Sequence, residues 1–285
     1  MRRGRLFGLA YRLLGSAEEA EDAVQDAYLR WDRADRASIE HPDGWLAKVV
    51  TNLCLNRLTA ARATRERYVG PWLPEPVPSA ALGPLETAEQ RDSVSLALLT
   101  LLERLTPPER AVFVLREAFG YGHGEIAQVM ELSEAHCRQL YRRATQHLAA
   151  RRRRFQPSHA ERSRLAARFL AAAQEGDLRS LEELLAEDVT SWADSGGHQP
   201  TARRPVVGRD RVARYFAGGW RKVPGAVDFT LTEVNGDTAV LARVDGRLLA
   251  VIALEFDGAC IAGVRIVANP AKLSRLAGVA GSQLV

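Results

Sequence analysis

The stretch "LSEAHCRQLYRRATQHL", residues 132–148, gathers the side chains best suited to reading a nucleic acid. Cys137, Leu140, Tyr141, Ala144 and Leu148 follow i, i+3, i+4, i+7 and i+11, so on a helix they share an inward face. Glu134, His136, Arg138, Gln139, Arg142 and Arg143 then point outward. A short helix over Glu125–Glu131, with Ile126, Ala127 and Met130 inward, precedes it across a tight Leu132-Ser133 turn, where Ser133 is the expected N-cap. Two short helices about a tight turn, with the basic surface on the second, make a helix-turn-helix. The second helix presents its N-terminal residues to base edges in the major groove, and its arginines also take phosphates. A helical hairpin with an Arg-rich solvated face is the weaker alternative. The run Arg151–Arg154 fits phosphate affinity or a basic linker equally well.

Three further groups carry chemistry. In "HPDGWLAKVVTNLCLNRLTAARATRER", Trp45, Leu46, Val49, Val50, Leu53 and Leu58 hold apolar helical positions. Asn52, Asn56, Arg57, Arg62, Arg65 and Arg67 lie among or after them. An exposed Trp with asparagines and arginines suits single-stranded DNA, by base stacking and polar contacts to unpaired edges; a core Trp with surface arginines fits as well. In "SAEEAEDAVQDAYLRW", Ser16 and Glu19 form a capping box, and Ala20, Ala23, Val24, Ala27 and Trp31 form a buried face. Glu18, Glu21, Asp22, Gln25 and Asp26 remain outside. This is a solvated acidic face or, in a DNA-binding protein, a surface that DNA repels and a protein partner can take. Finally, Asp194 and His198 in "DSGGH" are an acid/base pair or simply a turn, with Asp capping and glycines at positive φ.

The elements that must position these groups are legible in outline. Thr106 with Glu109 makes another capping box, with Pro107 at the first helical position. Residues to about 66 and from about 91 to 155 read as helical. One or two helices after residue 160 lead into the runs "AVDFTLTEV", "TAVLARV", "RLLAVIALEF" and "CIAGVRIV". The dipeptides Asn235-Gly236, Asp245-Gly246 and Asp257-Gly258 separate these as corners of an antiparallel meander, giving an α+β domain. Between the helical sections lies "YVGPWLPEPVPS". Its four prolines forbid helix and central strand, yet it displays Trp72, Leu73 and Val77, which a solvated tether does not need.

At 285 residues the chain has room for two or three domains. No apolar run approaches the ~20 residues that span a bilayer. The basic N-terminus is broken by Arg12 and followed by the acidic segment rather than a cleavage site, so a cytoplasmic protein with no membrane association is expected. A net charge of +4 and a pI near 9.2 permit nucleic-acid binding without requiring it. Only Lys48, Lys222 and Lys272 are lysines among 39 basic residues; arginine suits phosphate forks, and a GC-rich coding sequence gives the same skew. Cys54, Cys137 and Cys260 show no metal-ligand spacing and are expected as small buried residues, with no metal and no cofactor.

The order acidic helix, Trp/Asn/Arg helix, linker, helix-turn-helix resembles the extracytoplasmic-function sigma factors of bacterial RNA polymerase. "AEEAEDAVQDAYLRW" is similar to their region 2.2, "DGWLAKVVTNLCLNRL" to regions 2.3 and 2.4, and "LTPPERAVFVLREAFGYGHGEIAQVMELSEAHCRQLYRRA" to region 4. The resemblance implies a multidomain fold: an all-α region 2 bundle over 1–67, a linker over 68–90 and an all-α region 4 helix-turn-helix over 91–155. A C-terminal α+β SnoaL-like cone over 160–268 and a tail over 269–285 complete it. It implies binding of core RNA polymerase, with Glu21, Asp22, Gln25 and Asp26 on the beta-prime clamp helices and region 4 on the beta flap. It places Trp45, Asn52, Asn56 and Arg57 at the unpaired −10 promoter bases. Ser133, Glu134, His136, Arg138, Gln139, Arg142 and Arg143 fall at the duplex −35 element.

Trp72-Leu73-Pro74-Glu75-Pro76 is similar to the signature of one subgroup, in which a SnoaL-like domain controls the sigma module in cis. The subgroup's Asp-Gly-Gly-Gly-Lys and Asn-Pro-Asp-Lys-Leu motifs stand here as Asp194-Ser195-Gly196-Gly197-His198 and Asn269-Pro270-Ala271-Lys272-Leu273. His198 loses a permanent charge, and Ala271 loses a salt bridge or cap. The expectation is a non-enzymatic, monomeric regulator whose linker docks on the C-terminal domain or its tail. A small-molecule ligand in the SnoaL-like domain ranks second and cyclase- or isomerase-like catalysis a distant third. The competing class is a one-component helix-turn-helix regulator with a ligand-binding domain, which leaves residues 1–67 without a role.

Overall fold

The computed structural model describes residues 3–65, 68–82, 93–148, 157–219, 223, 225–279 and 282–283. The chain forms two compact units, Met1–Arg67 with Ala80–Arg152, and Tyr68–Ser79 with Arg153–Val285. These units group the expected domains differently. The two helical domains form one unit, and the first part of the expected 68–90 linker belongs to the C-terminal unit. Arg67 and Arg151–Arg154 lie outside the described residues, as do the side chains of Arg62 and Arg65.

The helical unit comprises α1 (Arg3–Leu14), α2 (Ala17–Arg33), α3 (Pro42–Arg65), α4 (Leu96–Leu102), α5 (Pro107–Glu117), α6 (His123–Met130) and α7 (Glu134–Leu148). Helix α2 begins at Ser16, whose Oγ accepts from Glu19 N at 3.3 Å, and buries Ala20, Ala23, Val24 and Ala27 as its spacing predicts. Trp31 is only half-buried, packed edge-to-face on Trp45 with centroids 5.5 Å apart. Helix α5 carries the expected cap, with Thr106 N donating to Glu109 Oε2 at 3.0 Å. Helix α6 starts two residues earlier than expected, because Gly122 N donates back to Glu125 Oε2 at 2.6 Å. Wedged between α3 and α7, it buries Ile126 and Val129; Ala127 and Met130 are only partly covered.

The C-terminal unit comprises α8 (His159–Glu175), α9 (Leu178–Leu184), β1 (Leu185–Asp194), β2 (Val206–Val207), α10 (Arg209–Gly219), β3 (Val227–Val234), β4 (Asp237–Val244), β5 (Arg247–Asp257), β6 (Cys260–Val267) and β7 (Ser282–Gln283). The sheet order is β2-β1-β6-β5-β4-β3-β7. Strands β3–β6 are the four runs of the meander. Asn235-Gly236 and Asp245-Gly246 both have positive φ at each residue, as a two-residue type I′ hairpin requires. Strand β1 pairs parallel with β6, so Asp194 and Val267 end side by side. On one sheet face the helices bury Phe169 and Phe216 against Val240, Ile252 and Phe256. The other face carries Leu241, Val251 and Val267, covered by Leu73, Leu273 and Leu276.

Among the described residues no helix is long and apolar enough to cross a membrane, and no His/Cys/Asp/Glu group is arranged to hold a metal. Cys54 and Cys137 are buried and Cys260 is partly exposed; all three are free thiols.

Candidate functional site

Helix α7 has the expected division of faces, except that Tyr141, expected inward, is only half-buried. Cys137, Leu140, Ala144 and Leu148 are buried, while Glu134, His136, Arg138, Gln139, Arg142 and Arg143 are exposed. Ser133 Oγ accepts from His136 N at 3.2 Å, so the expected cap is made. Two outward arginines are nevertheless engaged within the protein. Arg138 pairs with Glu134 one turn back at 2.8 Å. Arg143 Nε reaches the buried carboxylate of Glu109 at 3.2 Å, and His147 Nδ1 lies 3.6 Å from the same group. Burial pushes the Glu109 carboxyl up, but the Thr106 hydrogen bonds, with His147 and Arg143, outweigh it and hold it below its ordinary value. Arg143 therefore ties α7 to α5, a role the one-face pattern does not reveal. Tyr141 OH donates to Glu117 Oε1 at 2.7 Å; burial and that bond push its phenol up to about 12.

On α3, Trp45 and Asn52 are half-exposed and Asn56 is exposed. Arg57, expected as a DNA contact, is engaged within the helical unit. Its Nη2 donates to Asp26 Oδ2 at 2.8 Å and its Nη1 to the Glu19 carbonyl at 2.8 Å, which fastens α3 to α2. Asp26, expected on the polymerase face, is thus committed to Arg57. The exposed stripe of α2 is instead Glu18, Asp22, Gln25, Leu29 and Asp32, at i, i+4, i+7, i+11 and i+14; within it Asp32 pairs with Arg36 at 2.6 Å and Asp22 lies 3.9 Å from Arg57. Leu29, 48% exposed, is an apolar side chain set among acidic ones that the sequence reading missed.

The stretch "YVGPWLPEPVPS" is a strap bound along the C-terminal unit. Its anchor is Leu73, 1% exposed, in the cluster with Val251, Val267, Leu273 and Leu276. Asp194, fully buried at the end of β1, receives four donors. Tyr68 OH and Gly196 N bond Oδ1; Leu73 N (2.9 Å) and Lys272 Nζ (2.7 Å) bond Oδ2. Lys272 Nζ also donates to the Leu73 carbonyl at 2.6 Å and lies 4.1 Å from the centroid of the Trp72 ring. Asn269 Nδ2 donates to Tyr68 OH at 2.7 Å. Burial and the bond to Asp194 push the Tyr68 phenol well above its ordinary value. Gly196 allows this closeness: its φ is +58°, and a Cβ there would stand 2.7 Å from Asn269 Nδ2.

The far end of the strap joins the β3–β4 hairpin. Val77 N donates to Asn235 Oδ1 and Asn235 N to the Val77 carbonyl, each at 3.0 Å. Ser79 Oγ accepts from Gly236 N at 2.9 Å, and Glu75 pairs with Arg275 at 3.3 Å.

Two expectations about the motifs change. His198 is not among the partners of Asp194; it is exposed on an open cleft of about 280 Å³ lined also by Val69, Ser195 and Arg203. Asp194 is therefore a structural acceptor rather than half of an acid/base pair. The cap that Ala271 seemed to delete is supplied by Asn269, whose Oδ1 accepts from Ala271 N at 3.1 Å.

The family models for "Sigma-70 region 2", "Sigma-70, region 4" and "SnoaL-like domain" match residues 1–64, 95–148 and 166–264. The ECF RNA polymerase sigma factor SigJ of Mycobacterium tuberculosis is 38% identical over 95% of this chain and 91% of its own. The chain belongs to the extracytoplasmic-function sigma factors. The probable sigma factor SigI of the same species is 34% identical over 96% of this chain and 93% of its own. The crystal structure of M. tuberculosis SigJ superposes with a TM-score of 0.78 at 36% identity, over 96% of each chain. In this sigma factor α1–α3 are region 2 and α4–α7 are region 4, with the SnoaL-like domain following. The fused domain accounts for the C-terminal unit, and region 2 accounts for the residues that a one-component regulator leaves without a role.

Of the residues singled out from sequence, the structure unites Leu73, Asp194, Asn269 and Lys272 at one point. Tyr68 was missed there, and Asn235 at the far end of the strap. Tyr68 had no signal beyond an aromatic beside a proline-rich stretch, and Asn235 read fully as a turn residue.

Proposed function

We propose that this sigma factor binds core RNA polymerase through the acidic stripe of α2 and reads a −35 duplex with α7. Trp45, Asn52 and Asn56 of α3 receive the unpaired −10 bases, and docking of the strap on the SnoaL-like domain restrains initiation in cis. The observation that carries the last part is the four-donor cluster on Asp194, which joins the strap, the loop after β1 and the tail. A proline-stiffened segment loses little entropy when it docks. Docking also takes Tyr68–Ser79 out of the connection between regions 2 and 4, which limits how far apart they can reach.

Replacing Trp72 and Leu73 with Ala tests this. Emptying the Leu73 site alone costs about 2 kcal/mol or more, which shifts a docked–undocked equilibrium by over a decade. Transcription in vitro from a −35/−10 promoter is expected to rise at least about tenfold. Output equal to the parent protein's would remove cis control through the strap.

The polymerase face has its own test. Leu29→Glu leaves the packing of α2 untouched and puts a carboxylate where an apolar side chain meets the partner. A loss of core affinity of about tenfold or more is expected, read by competition for core, on the scale of an interface anchor. Unchanged affinity would move the polymerase contact off this stripe. Tight core binding with weak binding to free duplex promoter separates the sigma reading from a one-component regulator. The apolar cluster of Phe169, Phe216, Val240, Ile252 and Phe256 supports a regulatory domain over a ligand sensor or a catalyst.

A further inference from the structure

We propose that Lys272 is a modification site: transfer of an acyl group to its side-chain nitrogen releases the strap. This rests on the proposed control of initiation through the strap and adds a chemical trigger to it.

The chain uses arginine almost everywhere it needs a cation; Lys48, Lys222 and Lys272 are the exceptions among 39 basic residues. Arginine makes the ion pairs that fasten one element to another, Arg57 to Asp26, Arg162 to Asp237 and Arg265 to Glu255. The Lys272 site has a shape that an arginine fork does not fit. A single nitrogen bonds Asp194 Oδ2 at 2.7 Å and the Leu73 carbonyl at 2.6 Å. The same nitrogen lies 4.1 Å from the Trp72 ring centroid and 5.1 Å from that of Tyr68. A carboxylate, a carbonyl and two aromatic faces around one atom select a compact ammonium. Lysine differs from arginine in a second way: its neutral amine is a nucleophile that accepts acyl groups, and doing so removes the charge.

The reaction is acyl transfer from an acyl phosphate or an acyl thioester. The neutral Lys272 amine attacks the acyl carbonyl carbon. The C–N bond forms, the C–O or C–S bond breaks, phosphate or thiolate leaves, and the amine's proton passes to water. In the docked form the nitrogen is closed off, its side chain only 13% exposed, so the reaction proceeds from a locally open form. The tail supplies one. Lys272 ends the 3-10 turn Pro270–Lys272, and Ser274–Leu276 is another; such short turns open at lower cost than the sheet they cover. Once acylated, the nitrogen is a neutral amide with one N–H, and the added group needs space that Asp194, Leu73 and Trp72 already occupy. Asp194, fully buried, loses this cation. The docked–undocked equilibrium then moves toward the undocked form by at least about a hundredfold, the scale of breaking a buried ion pair from one side. Acylation captures the open form when it arises and keeps it open.

The site is tested by incubating full-length protein separately with acetyl phosphate and with acetyl-coenzyme A and mapping its lysines by peptide mass spectrometry. Lys48, its side chain 38% exposed, is the reference. Lys272 is expected to react more slowly than Lys48 in the parent protein, and at least about tenfold faster than before once Leu73→Ala loosens the strap. Reaction with one donor alone supports the site and identifies the acyl source. A Lys272 that stays unmodified with both donors in the Leu73→Ala protein, while Lys48 is modified, overturns the proposal. Acetyl-lysine built into position 272 tests the consequence. Hydrogen-exchange protection of the Leu73 amide, which Asp194 holds, is expected to fall about a hundredfold or to the unprotected rate. Transcription in vitro is expected to rise at least about tenfold. Protection at Leu73 equal to the parent's overturns the proposal. Lost protection with unchanged transcription leaves the modification site standing and removes the cis-control reading instead.

Discussion

Asp194→Asn loosens the strap and destabilises the C-terminal unit by about 3–5 kcal/mol, the cost of leaving a buried charge without its partner. Lys272, its side chain 13% exposed, keeps the Leu73 carbonyl and the Trp72 ring but loses the Asp194 carboxylate at 2.7 Å. An asparagine also offers one acceptor oxygen where four donors converge, so at least two of Tyr68 OH, Gly196 N, Leu73 N and Lys272 Nζ lose a partner. Urea unfolding reads the stability, and amide hydrogen exchange reads the strap. The Leu73 amide is expected to lose its protection while the Val77 amide, held by Asn235 Oδ1 at the other end, keeps more of its own. Unchanged protection at Leu73 would mean that Asp194 does not hold the strap.

Ending the chain before Asn269 is expected to raise activity as far as emptying the strap's seat does. The truncation removes Asn269 and Lys272 from the Asp194 cluster, Arg275 from Glu75, and β7 from the edge of β3. It also removes Leu273 and Leu276 from the sheet face, about 1.5–3 kcal/mol of apolar burial each. The strap is left with Leu73 on a half-uncovered surface and is expected to undock. Run-off transcription with core polymerase on genomic DNA should give start sites sharing a −35/−10 pair, with output at least about tenfold above the full-length protein. The truncated chain should match the Trp72/Leu73 double substitution, since both empty the same seat. Equal output from truncated and full-length protein would confine the tail to a structural role. Output that rose on truncation but not in the strap variant would place the inhibitory contact elsewhere on the C-terminal unit.

The helix-turn-helix and the meander were legible in the sequence because each rests on local rules. Inward residues at helical spacing and a Ser133 cap define α7 whatever surrounds it, and Asn235-Gly236 and Asp245-Gly246 make tight hairpins through backbone preference alone. What the outward side chains do was not legible. Arg57 and Arg143 look like their neighbours in the sequence, yet each is held by a carboxylate from another helix, Asp26 and Glu109. Periodicity states which way a side chain points and is silent about what waits there.

The sequence by itself determined the family, the secondary structure of most of the chain and the presence of an apolar anchor in a proline-rich segment. The tertiary structure alone decided that "WLPEP", "DSGGH" and "NPAKL" meet. The physical reason is the parallel pairing of β1 with β6, which brings Asp194 beside Val267 although the meander between them is antiparallel. Parallel neighbours are set by long crossovers, and no local pattern records them. The same holds for α1, whose apolar residues guarantee burial but do not say that region 4 provides part of the cover.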